Sequence, residues 1–212
     1  MSFERPLRRL AEQLADGHGV RSAAVLAAMA RVPRPLFVDE ALRVRAFRDE
    51  ALPIGFGQTI SKPSTVARMT EALEPRPDDR VLEVGTGSGY QTAVLACLCG
   101  RVYSVERIPQ LALRASRLLT QLGYHRVEVR LGDGALGWPE QAPFQGILVT
   151  AAAEGVPGAL LEQLALGGRL VVPRREGNAQ RLWRYVRVGA DQWHEESLEA
   201  CRFVPLVAGK RS

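Results

Sequence analysis

Three glycines alternate with other residues in "VLEVGTGSGYQTA": Gly85, Gly87 and Gly89. Without a Cβ they let the backbone reach positive φ and let a ligand come close. Three acids accompany them. Glu83 lies two residues before the first glycine, Glu106 ends "RVYSVE", and Asp133 sits in "GDG". A carboxylate can pair with a cationic amino group or accept hydrogen bonds from ribose hydroxyls. Upstream, "GFGQTISKPS" at 55–64 carries Thr59 and Ser61, whose hydroxyls can donate to a carboxylate. Spacing also allows a plainer role, in which Ser61 caps a helix over "KPSTVARMTEAL" with Pro63 in its first turn.

These residues need elements to hold them. "RVLEVG" predicts a short buried strand, and "YQTAVLACLCG" a buried helix stopped by Gly100. "RVYSVE" is a second strand. "PQLALRASRLLTQLG" predicts a helix with Pro109 in its first turn, Leu111, Ala115, Leu118 and Leu122 on one face, and Gly123 at its end. "RVEVRLGD" and "FQGILVTAA" predict strands, "PGALLEQLALGG" a helix, and "RLVVP" a fifth strand. "RLWRYVRV" and "LEACRFVPLV" follow as two strands joined by a polar turn around Gly189 and Asp191. This alternation predicts an α/β fold: a doubly wound, mostly parallel sheet with helices on both faces and an antiparallel C-terminal edge. The first fifty residues read as helices, with Leu7, Leu10 and Leu14 and then Val25, Leu26, Met29 and Val32 at helical spacing, the second group after Ser22 as N-cap. Pro33 and Pro35 break the pattern, and a short helix is expected around "VDEALRVRAF". The expected organisation is a helical extension over 1–79, carrying the loop at 54–65, and a core over 80–212, packed as one compact unit.

In such sheets ligands bind at the carboxyl ends of adjacent strands, where all three acids fall. A dinucleotide fingerprint would need its third glycine at position 90, which is Tyr90. Glu83 would repel a nearby pyrophosphate but suit the amino group of a methionine moiety. The acids therefore favour a Rossmann-like S-adenosylmethionine site of the class I methyltransferase kind. Glu106 would accept from the ribose hydroxyls, and Asp133 would stand at the adenine edge.

The bulk numbers narrow the setting. A chain of 212 residues, 46% hydrophobic and 24% charged, can bury one large core. No apolar run approaches the roughly 20 residues of a membrane span. "MSFERPLRRL" has no apolar stretch behind it, so no secretory leader is expected. Three cysteines, Cys97, Cys99 and Cys201, make an odd count that argues against a disulfide framework and for a cytoplasmic setting. The net charge of +5 is nearly all arginine, with Lys62 and Lys210 the only lysines. Its one local excess is "RREGNAQRLWRYVR" at 174–187, with five Arg against one Glu. Lacking zinc spacing and any long basic run, that stretch reads as a solvated surface strand rather than a nucleic-acid face.

"LPIGFGQTIS", "VLEVGTGSGYQTA", "SVERI", "GDG", "VTAA", "LEQLALGGRLVVP" and "RFVPL" occur in the order expected of bacterial protein-L-isoaspartate O-methyltransferases. The chain resembles that family over nearly its whole length. The glycine block marks only the class I methyltransferases, whereas "GQTIS" and "RFVPL" are more specific. The resemblance implies a cytosolic, monomeric repair enzyme that acts on isoaspartyl-containing peptides and proteins, and on neither nucleic acid nor membranes. It implies transfer of a methyl group from S-adenosylmethionine to the α-carboxylate of L-isoaspartyl residues, leaving S-adenosylhomocysteine and starting repair through a succinimide. It implies Ser61 as the catalytic residue and substrate contacts from Thr59, Ile60, Ala151 and Ala152. Implied cofactor contacts are Gln58, Glu83, Gly85, Thr86, Gly87, Ser88, Gly89, Glu106, Arg107, Asp133 and Gly134. No metal is implied.

A carboxylate acceptor suits this inventory. With a pKa near ~4 it is already ionised, so it needs alignment and exclusion of water rather than a base. The three histidines, His18, His125 and His194, lie outside every motif, and no Ser/His/Asp set is visible. Where an amide-nitrogen methyltransferase would carry its own motif stands "VTAAAEG", whose Ala151 to Ala153 suggest a backbone-lined slot. Two other readings stay open: the same scaffold acting on another carboxylate, and a cofactor-binding module without turnover. The chain leaves the family pattern at Lys62, Pro63 and Ser64, at Gln145, at Pro173, Arg174 and Arg175, and in "AAAEGVP". Lys62 and Arg174 could supply charge to a carboxylate-bearing substrate.

Overall fold

The structure is a computed structural model and describes residues 3–209. Helix α1 (Glu4–His18) buries Leu7, Leu10 and Leu14 and ends at Gly19, whose φ is 65°. Helix α2 (Ala23–Arg31) starts as its sequence suggests, with Ser22 Oγ accepting from Val25 N at 3.3 Å. The short helix expected next is instead two 3-10 turns, Glu40–Leu42 and Arg45–Phe47. Strands β1 (Leu52–Gly55) and β2 (Gln58–Ile60) then form a small antiparallel hairpin apart from the main sheet. Composition suggested only a turn there. The hairpin forms because Leu52, Ile54 and Ile60 bury one face of it. Helix α3 (Pro63–Leu73) follows with Pro63 in its first turn. Ser61 does not cap it. Lys62 is the N-cap without a side-chain bond, and Asp49 satisfies the helix start from outside, accepting from Ser64 N at 2.7 Å and Ser64 Oγ at 2.8 Å.

Seven strands form the sheet: β3 (Arg80–Val84), β4 (Arg101–Glu106), β5 (Val127–Leu131), β6 (Phe144–Val149), β7 (Leu164–Glu176), β8 (Ala179–Gly189) and β9 (Gln192–Ala200). Their spatial order is β5-β4-β3-β6-β7-β8-β9. The first five pair in parallel and the last two are antiparallel, as a meander. Helices α4 (Tyr90–Ala96), α5 (Pro109–Gln121) and α6 (Gly158–Glu162) make the crossovers. Side chains alternate along each strand. Val81, Val102, Leu148 and Val171 pack with Met69 and Leu73 of α3 and Leu95 of α4. Leu82, Val84, Ile147 and Val172 face Leu160 of α6 and Trp138 instead. β3 stands between β4 and β6, so the chain reverses direction across the sheet there, and the crevice at its carboxyl end is the natural ligand position.

Several expected boundaries move. Helix α4 stops at Ala96, well short of Gly100. Helix α5 buries Leu111, Ala112, Ala115 and Leu119, while Leu118 and Leu122 are only partly covered. Helix α6 has five residues, because β7 already begins at Leu164. The register jumps from Phe144↔Leu164 to Gly146↔Arg169, so the leucines that mimic a helical repeat are extended chain leading into a bulge at Gly167 and Gly168. "RFVPL" is not part of the last strand. β9 ends at Ala200, and the segment lies beside Ala152, whose N–H donates to Val204 O at 2.8 Å and whose O accepts from Leu206 N at 2.7 Å. The arginine-rich stretch is largely compensated. Arg174 stacks on Trp183 at 3.6 Å, Arg175 pairs with Glu154, and Arg184 with Glu74 and Glu196. Among the described residues, no helix is long and apolar enough to cross a membrane.

Candidate active site

The loop after β3 holds Gly85, Gly87 and Gly89 at φ of 99°, 54° and 88°. A Cβ on Gly85 would overlap Thr150 Oγ1, which sits 2.7 Å from Gly85 O and 3.0 Å from Val84 O. Thr150 directly follows β6, so this contact ties the two strands together at the crevice. Glu106 ends β4 and is 5% exposed. Its Oε2 accepts from Gly87 N at 2.8 Å and its Oε1 from Ile108 N at 3.0 Å. The carboxylate is thereby fixed, and each oxygen keeps acceptor capacity for a ligand hydroxyl.

Glu83 takes a different place from the one its position suggested. It is fully buried behind the loop, not on the wall of the crevice. Its Oε2 accepts from Thr92 Oγ1 at 2.5 Å and Ser104 Oγ at 2.6 Å, and Ser104 Oγ lies 2.6 Å from Thr86 Oγ1. Its Oε1 has no partner among the described residues. Burial pushes the carboxyl up to about 8, with the two hydroxyls opposing. At neutral pH it is mainly the uncharged acid, so it braces the loop rather than attracting a cation.

One hollow gathers most of the residues singled out by sequence. Gln58, Thr59, Ile60, Ser61, Gly85, Thr86, Gly87, Ser88, Glu106, Arg107, Gly134 and Ala151 all line it. Glu83, Gly89, Asp133 and Ala152 do not. Gly89 starts α4 instead. Asp133 accepts from Ala135 N at 2.9 Å and, through its other oxygen, from Gly209 N at 2.7 Å. Ala152 anchors the C-terminal segment. That segment, Val204 to Val207, itself lines the hollow and was missed as a site element. Its signal, "RFVPL", falls inside the run that the sequence predicts as the last strand. Arg34 gave no signal at all. It is fully buried, donating to Ala46 O at 2.7 Å, Glu50 O at 2.9 Å and Ser61 O at 3.0 Å.

A second opening, a cleft of about 720 Å³, lies against the first. Thr59, Ser61, Met69, Thr150 and Val204 line both and so form a shared wall. The Thr59 and Ser61 hydroxyls have no hydrogen-bond partner among the described residues, so both are free to donate. Of the positions that leave the family pattern, Lys62 and Ser64 reach the cleft. Gln145 instead accepts from Arg80 N at 2.9 Å, and Arg174 is occupied at Trp183.

The hollow fits a nucleoside with a free diol. Glu106 offers a fixed carboxylate, Val84, Val105 and Ile108 offer apolar surface, and the glycine loop offers backbone without side chains. Among the described residues, no histidine or cysteine lines it.

The model of the protein-L-isoaspartate(D-aspartate) O-methyltransferase family matches residues 6–211. A protein-L-isoaspartate O-methyltransferase of Hahella chejuensis is 53% identical over 213 residues, covering 99% of each chain. One of Anaeromyxobacter dehalogenans is 57% identical, covering 90% of this chain and 93% of its own. Among solved structures, a protein-L-isoaspartate O-methyltransferase superposes with a TM-score of 0.86 at 29% identity, over 93% of this chain. This chain spans 64% of that one's length. A putative Plasmodium falciparum relative, solved with S-adenosyl-L-homocysteine, superposes at 0.83 with 24% identity, over 95% of this chain and 98% of its own, and shares the fold. The chain belongs to the protein-L-isoaspartate(D-aspartate) O-methyltransferase family.

Proposed function

We propose that this chain methylates the α-carboxylate of L-isoaspartyl residues in damaged proteins, using S-adenosylmethionine bound in the hollow. The observation that carries the reading is the shared wall: Ser61 and Thr59 face the glycine-loop hollow on one side and an open cleft on the other. A methyl donor and a peptide can therefore approach the same hydroxyls from opposite directions.

S-adenosylmethionine, when bound, supplies an electrophilic methyl on a sulfonium and leaves as S-adenosylhomocysteine. Glu106 would hold the ribose hydroxyls, and Gly134, Ile108 and Val105 would offer the surface beside the base. Ser61 and Thr59 donate to the acceptor carboxylate and orient one oxygen inward. Arg34 holds the Ser61 carbonyl and so fixes the direction of that wall. No residue acts as a base, because the acceptor arrives ionised. The C-terminal segment and the hairpin exclude water from above.

The reading includes action as a monomer, since one chain completes both openings. It includes a cytoplasmic setting, supported by the free thiols of Cys97, Cys99 and Cys201. It includes proteins rather than nucleic acid or membranes as partners, supported by the paired arginines of β7 and β8.

The test is transfer of labelled methyl to an isoaspartyl peptide and to its normal aspartyl twin. Base-labile label on the isoaspartyl peptide alone is expected. Equal labelling of both, or of neither despite tight cofactor binding, overturns the reading.

A further inference from the structure

The outer cleft carries more positive charge than alignment of a single carboxylate requires. Lys62 follows Ser61 directly and lies on the cleft wall with its side chain 51% exposed. Its nearest carboxylate is Asp49, with Nζ 4.0 Å from Oδ2. Asp49 is already engaged, accepting from Ser64 N and Ser64 Oγ, and His18 Nε2 stands 3.6 Å from it. The Lys62 ammonium is therefore only weakly compensated. Arg202 lines the same cleft, is exposed, and pairs with no carboxylate among the described residues. Arg68 is also present, but Glu199 holds it at 2.9 Å and 3.4 Å. The start of α3 offers no competing anion position, because Asp49 occupies it.

We infer that Lys62 and Arg202 make the cleft select isoaspartyl peptides that carry an acidic side chain beside the isoaspartyl residue. This rests on the function proposed above and narrows its substrate class. Lys62 and Arg202 are specificity-determining and touch no reacting atom. An exposed cation contributes modestly to a carboxylate contact, so two cations give a preference of about threefold to tenfold at low salt. The preference falls in KM rather than kcat, because the flanking contact is the same before and during methyl transfer. Salt screens it.

The test uses three isoaspartyl peptides that differ only in one neighbour: Glu, Gln or Lys. Their affinities are read by fluorescence anisotropy with S-adenosylhomocysteine present, and their KM and kcat by methyl transfer. The Glu peptide is expected to bind about threefold to tenfold more tightly than the Gln peptide, and the Lys peptide most weakly. Lys62→Gln should lower the ratio of Glu to Gln peptide, Lys62→Glu should lower it further, Lys62→Arg should keep it, and Lys62→Gln with Arg202→Gln should bring it close to one. Equal affinities in the unmodified protein overturn the inference. So does a Glu preference that survives in the double variant Lys62→Gln, Arg202→Gln. Because binding is read without turnover, absence of methylation on every peptide defeats the isoaspartyl reading, while the affinities still decide the role of Lys62.

Discussion

The two halves of the candidate site are built in opposite ways. The cofactor half is built around one contiguous stretch, β3, its glycine loop, α4 and β4, with Ile108 and Gly134 beside it. Glu106 holds the loop from above through Gly87 N, and Glu83, Thr92, Ser104 and Thr86 support it from below. The acceptor half comes from three remote segments. Thr59 and Ser61, Thr150 after β6, and Val204 of the C-terminal segment meet only in the folded chain. Its anchors are few: Arg34 to Ser61 O, and the paired backbone bonds between Ala152 and the C-terminal segment. A pocket for an invariant donor can be built into the sheet, whereas a wall that meets varied protein surfaces is hung on removable contacts.

The sharpest way to break this comparison is to remove an acceptor-half anchor. Arg34→Met leaves three carbonyls without their donor and should cost about 3–5 kcal/mol of unfolding free energy. Denaturant unfolding measures this, and a loss below about 1 kcal/mol would show that the wall is held by other means.

The brace below the glycine loop gives the next effect. Glu83 rises from 4.5 to about 8 in the folded chain. The folded state therefore holds a proton that the unfolded state releases, so this contribution is full below about pH 4.5 and fades as pH rises toward 8. Glu83→Gln stays neutral throughout. Its stability relative to the original chain should climb across pH 5 to 8, by on the order of 2–3 kcal/mol. Parallel stability curves would mean that Glu83 is not held neutral.

Glu106→Ala probes the upper support. It removes two backbone acceptors and the expected diol contact, so S-adenosylhomocysteine affinity should fall about 30-fold to 100-fold by calorimetry. Deleting residues 207–212 is the mildest test. It releases Asp133 from Gly209 N and Arg107 Nε from Gly209 O, and should weaken that affinity by only about threefold. A larger loss from the deletion than from Glu106→Ala would reverse the ranking of the two halves.

The same division explains what sequence could show. Strand, glycine turn, helix and strand are local patterns, so β3 to β5 and the wall residues Gly85, Gly87 and Glu106 were legible. Glu83 was placed correctly in its strand but not in its environment, because period two fixes a face without saying what covers it. The leucines of 160–166 have helical spacing, yet pairing with β6 draws Leu164 and its successors into strand. The hairpin was hidden because its strands, four and three residues long, are too short to show a periodic pattern. Arg34 and the C-terminal segment act through contacts far apart in sequence, which no local spacing records.

The central claim is that Ser61 aligns the acceptor and does not hold the donor. The most direct measurement is Ser61→Ala, read twice: single-turnover methyl transfer to a saturating isoaspartyl peptide, and affinity for S-adenosylhomocysteine. The expected result is a rate lowered by about tenfold or more with cofactor affinity within about twofold. An unchanged rate, or a matching loss of cofactor affinity, would contradict it.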